Sequence, residues 1–164
     1  VVLEQGNTGW EKIQSVFSAA RMWGAGLRTA YALQFALALI LAASLAWLWQ
    51  SEVAFDLKAA ALATGSLLAT PYVLDYDLVV LAVAVGFFIR HGLSSGFRSF
   101  EISLLAVAWV MPLLSRIIAG ATGIPLGLLV LSALYVLIAR RALVDCAKLG
   151  VGTAPIRTLA APLS

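Results

Sequence analysis

Residues Ala69–Asp77 have the sequence ATPYVLDYD and separate two apolar runs that carry no charge. Pro71 has no backbone N–H group and tends to end or kink a helix, so the stretch predicts a turn between two helices. Asp75 and Asp77 stand just before the second run, where carboxylates can cap the free N–H groups of a helix. The stretch therefore combines a break in the backbone with a pair of acids.

The apolar runs on either side of this turn are short for membrane spans. Ala59–Leu74 has sixteen residues and Leu78–Ile89 has twelve. At about 1.5 Å per residue they cover roughly 24 and 18 Å, against about 30 Å of hydrocarbon. The lengths predict a turn that lies below the membrane surface in a protein-lined cavity, with Tyr72 and Tyr76 at the boundary. The alternative is a helix hairpin whose acids cap the next helix in water.

The composition identifies the class of protein. The 164 residues are 62% hydrophobic and 12% charged, with a mean hydropathy of +0.99, which predicts an all-α integral membrane protein in contact with the lipid bilayer. One cysteine, Cys146, excludes an internal disulfide and a cysteine metal cluster. The net charge of +3 comes from loop residues and gives no indication of a nucleic-acid partner.

Apolar periodicity predicts about five transmembrane helices and one amphipathic interfacial helix. The amphipathic segment is Trp10–Trp23, which is too polar to span and suits the membrane surface or the mouth of a cavity. The predicted spans are Thr29–Trp49, Ala59–Leu74, Leu78–Ile89, Ile102–Ala119 and Ile124–Ala139. Pro112 is expected to break the fourth span, and Arg140 with Arg141 to stop the fifth.

Two polar or small-residue features predict contacts between spans. Gln34 is the only strongly polar residue of the first span and is expected to bond a neighbouring helix. Ala61, Gly65 and Ala69 have the spacing that lets helices pack closely.

The distribution of basic residues predicts the orientation. With five spans, seven lysines and arginines fall in residues 50–58, 90–101 and 140–164, and four fall in the other loops. The positive-inside rule then places the tail, 142–164, in the cytoplasm. The turn, Arg116 and the interfacial helix within 1–26 fall together on the outer side of the bundle formed by 27–141.

The acids of the turn allow two kinds of chemistry. Asp75 and Asp77 form a D-x-D pair, which could bind Mg²⁺ or Mn²⁺ or share general-base work. A lone D-x-D is a weak metal signal, so no cofactor is predicted. Arg116 could hold the phosphate of a lipid carrier or extend its side chain to the interface. His91 is interpreted as a solvated helix end.

Several stretches resemble, in order, the C-terminal half of glycosyltransferase family 87, over about residues 4–140. They are WEKIQSVFSAARMWG, AYALQ, LKAAALATGSLLATPYVLDYDLVVLA and IPLG, of which WEKIQSVF and ATPYVLDYD are the most specific. The family belongs to the GT-C membrane enzymes and is related to bacterial polyprenol-phosphate-mannose-dependent α-1,2-mannosyltransferases.

The resemblance implies an inverting transfer of a sugar, mannose by analogy, from a polyprenyl phosphate to a glycan or glycolipid acceptor outside the bacterial inner membrane. Asp75 and Asp77 would then be catalytic, and Tyr72, Tyr76, Arg116 and Trp10 would bind substrate.

The catalytic acid of GT-C enzymes lies in a first outer loop that this sequence does not contain. The chain is therefore expected to be a C-terminal fragment that is inactive alone. The alternative function is that of a membrane transporter, flippase or non-catalytic subunit whose buried acids carry protons or ions.

Overall fold

The computed structural model describes residues 13–152, apart from the side chains at 75, 76, 116 and 149–152. Within this range the chain is all-helical and has no strand. Its helices are α1 (Val16–Met22), α2 (Leu27–Gln50), α3 (Phe55–Ala69), a 3₁₀ helix (Asp75–Val79), α4 (Val80–Ser95), α5 (Glu101–Thr122) and α6 (Leu126–Gly152). The prediction of an all-α fold is confirmed.

Three helical stretches of the described chain are long and apolar enough to cross a membrane. They are Leu27–Gln50, Asp77–Ser95 and Leu126–Lys148, and Glu101–Ser115 is a shorter apolar helix. Large apolar side chains such as Phe35 point outward from these helices, as lipid contact requires.

The short helix α3 lies at the centre of the bundle and packs against α2, α4 and α6. Gly65 makes this possible, because a Cβ atom added there would lie 3.3 Å from both Leu45 of α2 and Tyr135 of α6. The Tyr135 and Ser44 hydroxyl groups lie 2.7 Å apart and join α6 to α2. The close packing predicted from the small residues of this segment is therefore confirmed at Gly65.

Two helix boundaries differ from the predictions. Helix α5 runs through Pro112 without ending, so the predicted break is wrong; a proline inside a helix costs one backbone hydrogen bond and need only bend it. Helix α6 continues past Arg140 and Arg141 to Gly152. It does so because Arg141 turns into the bundle, where acidic partners hold it.

The N-terminal helix differs most from its prediction. Trp10 lies outside the described residues, and α1 covers only Val16–Met22. The helical period of Trp10–Trp23 predicts Trp23 on the apolar face and Ser15 and Ser18 on the polar one. In the structure the two serines are 1% and 0% exposed, whereas Trp23 is 70% exposed. The predicted polar face is thus wrong: the serine side of the segment is buried, because its hydroxyl groups bond backbone carbonyl groups of the protein.

Candidate functional site at the turn end of the bundle

The segment between α3 and α4 is an extended turn. Helix α3 stops at Ala69, and Thr70 already has the extended conformation at its C-cap. Leu74 is extended as well, with φ −93° and ψ 166°, and the 3₁₀ helix begins at the next residue. Pro71 accounts for the stop, because a proline disfavours the helical conformation of the residue before it.

The N-terminal segment holds this turn by hydrogen bonds to its backbone. The N–H of Gln14 donates to the carbonyl of Val73 over 2.9 Å. The Ser15 hydroxyl donates to the carbonyl of Pro71 over 2.7 Å. Val73 is 1% exposed, so the middle of the turn faces into the protein. Two carbonyl groups that lie outside regular helix thereby find partners.

The Gln34 side chain of α2 hydrogen-bonds both the N-terminal segment and the end of α3. Its Nε2 donates to the carbonyls of Leu68 and Ala69, each over 3.0 Å, and its Oε1 accepts the N–H of Phe17 over 3.1 Å. The last carbonyls of a helix lack partners within the helix, so one amide side chain satisfies the end of α3 and the start of α1. The expected bond from Gln34 to a neighbouring helix is confirmed.

The start of α6 completes this end of the bundle. Gly127 donates its N–H to Gln14 Oε1 over 3.1 Å, and a Cβ atom at Gly127 would lie 2.7 Å from the same oxygen. The indole N–H of Trp23 donates to the carbonyl of Gly123 over 3.4 Å. We call residues 13–23, 70–77 and 123–127, together with Gln34, the turn end.

Asp77 serves locally as a cap. Its Oδ2 accepts the N–H of Leu74 over 2.9 Å, while the N–H of Asp77 donates back to the carbonyl of Leu74 over 3.0 Å. This reciprocal pair is the capping role that the sequence allowed as an alternative. Its Oδ1 has no hydrogen-bond partner within residues 13–152.

Of the other predicted site residues, the structure describes Tyr72 in full and only the backbone of three more. Tyr72 is half-buried on the turn, five residues before the capping acid. The backbones of Asp75 and Tyr76 begin the 3₁₀ helix, and that of Arg116 lies in α5, which packs against the 3₁₀ helix. The side chains of these three, and all of Trp10, lie outside the described residues. No cluster of three metal-ligating side chains occurs in the described part of the chain.

A cavity of about 240 Å³ lies beside the 3₁₀ helix, between α4 and α5. Its lining is apolar and consists of Leu78, Val79, Leu81, Ala82, Val85, Ala108, Trp109 and Pro112. It therefore suits a hydrocarbon chain better than a sugar or a water-filled site.

The opposite end of the bundle holds a buried charge network that the sequence did not predict. Arg141 Nη1 donates to both carboxylate oxygens of Glu101, over 3.0 and 3.2 Å, and the two side chains are 3% and 2% exposed. Asp145 accepts from Arg98 over 3.0 Å and lies 3.2 Å from His91 Nε2. A cluster of four charged residues and a histidine thus joins α4, α5 and α6.

His91 corrects one interpretation directly, because it is 6% exposed rather than solvated. The spacing of Arg141 and Asp145, four residues apart on one helix, was the available signal for the network. We call residues 91–101 and 140–145 the ion-pair end. Asp56, at the start of α3, lies close to this end, since its Oδ2 is 3.4 Å from Arg90 Nε.

No protein-family model, curated protein or solved structure matches the chain.

Proposed function

We propose that the chain forms the membrane portion of a glycosyltransferase that moves a sugar, mannose by analogy, from a polyprenyl-phosphate donor to a glycan or glycolipid acceptor. One observation carries the proposal. The two stretches that most specifically resemble glycosyltransferase family 87 touch each other, since Ser15 and Pro71 are 56 residues apart in sequence and 2.7 Å apart through their oxygen atoms. A pair of motifs that meets in space is what a shared site requires.

In this proposal the turn end faces the donor and the acceptor. Asp75 and Asp77 bind acceptor hydroxyl groups or assist in removing a proton, while Tyr72 and Tyr76 stack on a sugar ring. The capping bond of Asp77 uses Oδ2 and fixes the carboxylate, so that Oδ1 would be presented in one orientation. Arg116 and Trp10 border the path of the lipid carrier.

The proposal also includes a topology. Five spans cross a bacterial plasma membrane, with the turn end outside and residues 142–164 in the cytoplasm. The positive-inside rule supports this orientation, because Arg98, Arg140 and Arg141 stand at the ion-pair end.

Transfer from a synthetic polyprenyl-phosphate mannose, measured in membranes that contain the complete gene product, tests the reaction. The double change Asp75→Asn with Asp77→Asn should reduce turnover by about 10²-fold or more, the usual contribution of a general acid or base. Asp56→Asn removes a carboxylate at the other end of the bundle and should leave turnover unchanged. Full turnover in the double variant would remove the turn from the chemistry. A loss of transfer on adding EDTA would add a metal to the mechanism.

A second candidate, a transporter or non-catalytic membrane subunit, draws on the buried titratable groups His91 and Glu101 and on the partly exposed Asp145. Substrate uptake into proteoliposomes without sugar transfer would favour it. His91→Gln should then abolish uptake, whereas the glycosyltransferase predicts that this variant keeps transfer.

A further inference from the structure

A cavity of about 410 Å³ opens at the ion-pair end, between the start of α5 and the later part of α6. Arginine side chains and apolar side chains line it together. The lining residues are Arg98, Ser99, Phe100, Glu101, Leu137, Arg140, Arg141 and Val144. It is distinct from the turn end, which lies at the other end of the helices.

The charges around this cavity are not balanced. Both oxygens of Glu101 accept from Arg141, and Asp145 accepts from Arg98 and Arg141, so the acids are already neutralised inside the protein. Arg140 is exposed and has no hydrogen-bond or ion-pair partner among the residues that the structure describes. Three guanidinium groups against two carboxylates leave one positive charge, and Arg140 carries it at the cavity wall.

The residues beside the cavity are large, apolar and exposed, as a site at a membrane boundary requires. Phe100 is 83% exposed and Ile102 is 62% exposed, on a turn that starts an apolar helix. Phe100 also has a left-handed backbone, with φ 69°, which is an uncommon conformation for a bulky residue.

We propose that this cavity binds the phosphate group of an anionic phospholipid, with Arg140 as its main contact. A guanidinium group matches two phosphate oxygens with two parallel N–H groups, and basic pockets between membrane helices are suited to such headgroups. Leu137, Val144 and Phe100 give the cavity an apolar wall along which the start of an acyl chain can lie. That wall favours a lipid over a free phosphate ion, which would meet the same arginines without using it.

Retention of phospholipid by the full chain, measured by native mass spectrometry after purification in mixed lipid, tests the proposal. With equal phosphatidylglycerol and phosphatidylcholine supplied, the chain should retain phosphatidylglycerol. Arg140→Gln should lower its retention about fivefold, the effect expected for one basic residue at a membrane surface. Arg140→Lys keeps the charge but loses the paired N–H geometry, so it should show an intermediate loss.

Lys148→Gln is the matched control, because Lys148 is exposed on the same helix and does not line the cavity. It should reduce retention less than Arg140→Gln does. Equal losses in the two variants would overturn the proposal in favour of general surface charge. Resistance to heat separates the two sources of phosphate. If inorganic phosphate stabilises the chain in phosphatidylcholine nanodiscs as much as phosphatidylglycerol nanodiscs do, the lipid is overturned as the source of the phosphate.

Discussion

The two ends of the bundle are fastened by different chemistry. At the turn end, neutral groups of Gln14, Ser15 and Gln34 bond backbone atoms of the turn and of α3. At the ion-pair end, side chains bond one another, with Glu101 and Arg141 at the centre. Neutral bonds to backbone fix the path of the chain and need no counter-charge, whereas a buried ion pair joins helices but depends on both partners.

The contrast has a consequence for the candidate site. A turn held through its carbonyl groups does not need its exposed side chains for that attachment, because the backbone supplies the contacts. At the ion-pair end, by contrast, most arginine and acidic side chains hydrogen-bond one another. The two ends should therefore respond differently to single substitutions, in size and in kind.

The largest effect is expected from the buried ion pair. Glu101→Gln removes the main counter-charge of Arg141 and should lower the free energy of unfolding by about 3 kcal/mol, because the buried guanidinium keeps only its longer contact with Asp145 as an ion pair. The measurement is denaturant titration in mixed micelles. Combining Glu101→Leu with Arg141→Met should recover stability, since the desolvation cost is removed along with the attraction.

Arg90→Gln is the control for this prediction. Arg90 also pairs with an acid, but its side chain is 73% exposed, so its loss should cost less than about 1 kcal/mol. Equal costs for Glu101→Gln and Arg90→Gln would show that the burial of the central pair contributes nothing.

The second effect concerns the turn end, which neutral hydrogen bonds hold together. Gln34→Leu keeps the volume of the side chain but leaves the carbonyls of Leu68 and Ala69 without that donor. A cost of about 2 kcal/mol is expected, the range for buried groups that lose their partner. Ser66→Ala, which removes an exposed hydroxyl from α3, should be nearly neutral in the same titration. A neutral Gln34→Leu would contradict the assignment of this amide as the fastener of the turn end.

The third effect concerns the close contact between Gly127 and Gln14 at the turn end, which one added methyl group would disturb. Gly127→Ala places a Cβ atom 2.7 Å from Gln14 Oε1 in a buried contact, which should cost about 1–2 kcal/mol. Gly86 of α4 has open space around it, so Gly86→Ala should be neutral or slightly stabilising. Adding Gln14→Ala should reduce the cost of Gly127→Ala if the two residues are coupled through this contact.

Several parts of the fold could be predicted from composition and spacing. The helical class, the helix over most of Thr29–Trp49 and the bond from Gln34 follow from apolar length and from the cost of an unpaired amide. The close approach at Gly65 follows from the absence of a side chain.

The burial of charge and of serine could not be predicted in the same way. Arg141 and His91 mark a helix end in sequence, but only the meeting of α4, α5 and α6 supplies Glu101 and Asp145 as partners. Ser15 and Ser18 look solvated on a helical projection, yet carbonyl groups outside the helix accept from them. The ion pairs and the Ser15 bond depend on contacts between residues far apart in sequence, whereas Ser18 bonds a carbonyl group five residues before it.

The smallest effect separates folding from chemistry at the turn. Asp77→Ala removes the acceptor for the Leu74 N–H and should cost about 1 kcal/mol, as the loss of a cap does. Asp77→Asn keeps a side-chain oxygen that can accept the same N–H, so its cost should be a few tenths of a kcal/mol at most. The negative charge of Asp77 is therefore expected to contribute almost nothing to the stability of the fold. If Asp77→Asn leaves the unfolding curve unchanged and still abolishes sugar transfer, the charge acts on a substrate. If both substitutions lower transfer only as far as they lower stability, the carboxylate is a cap, and the turn end has no chemical role through Asp77.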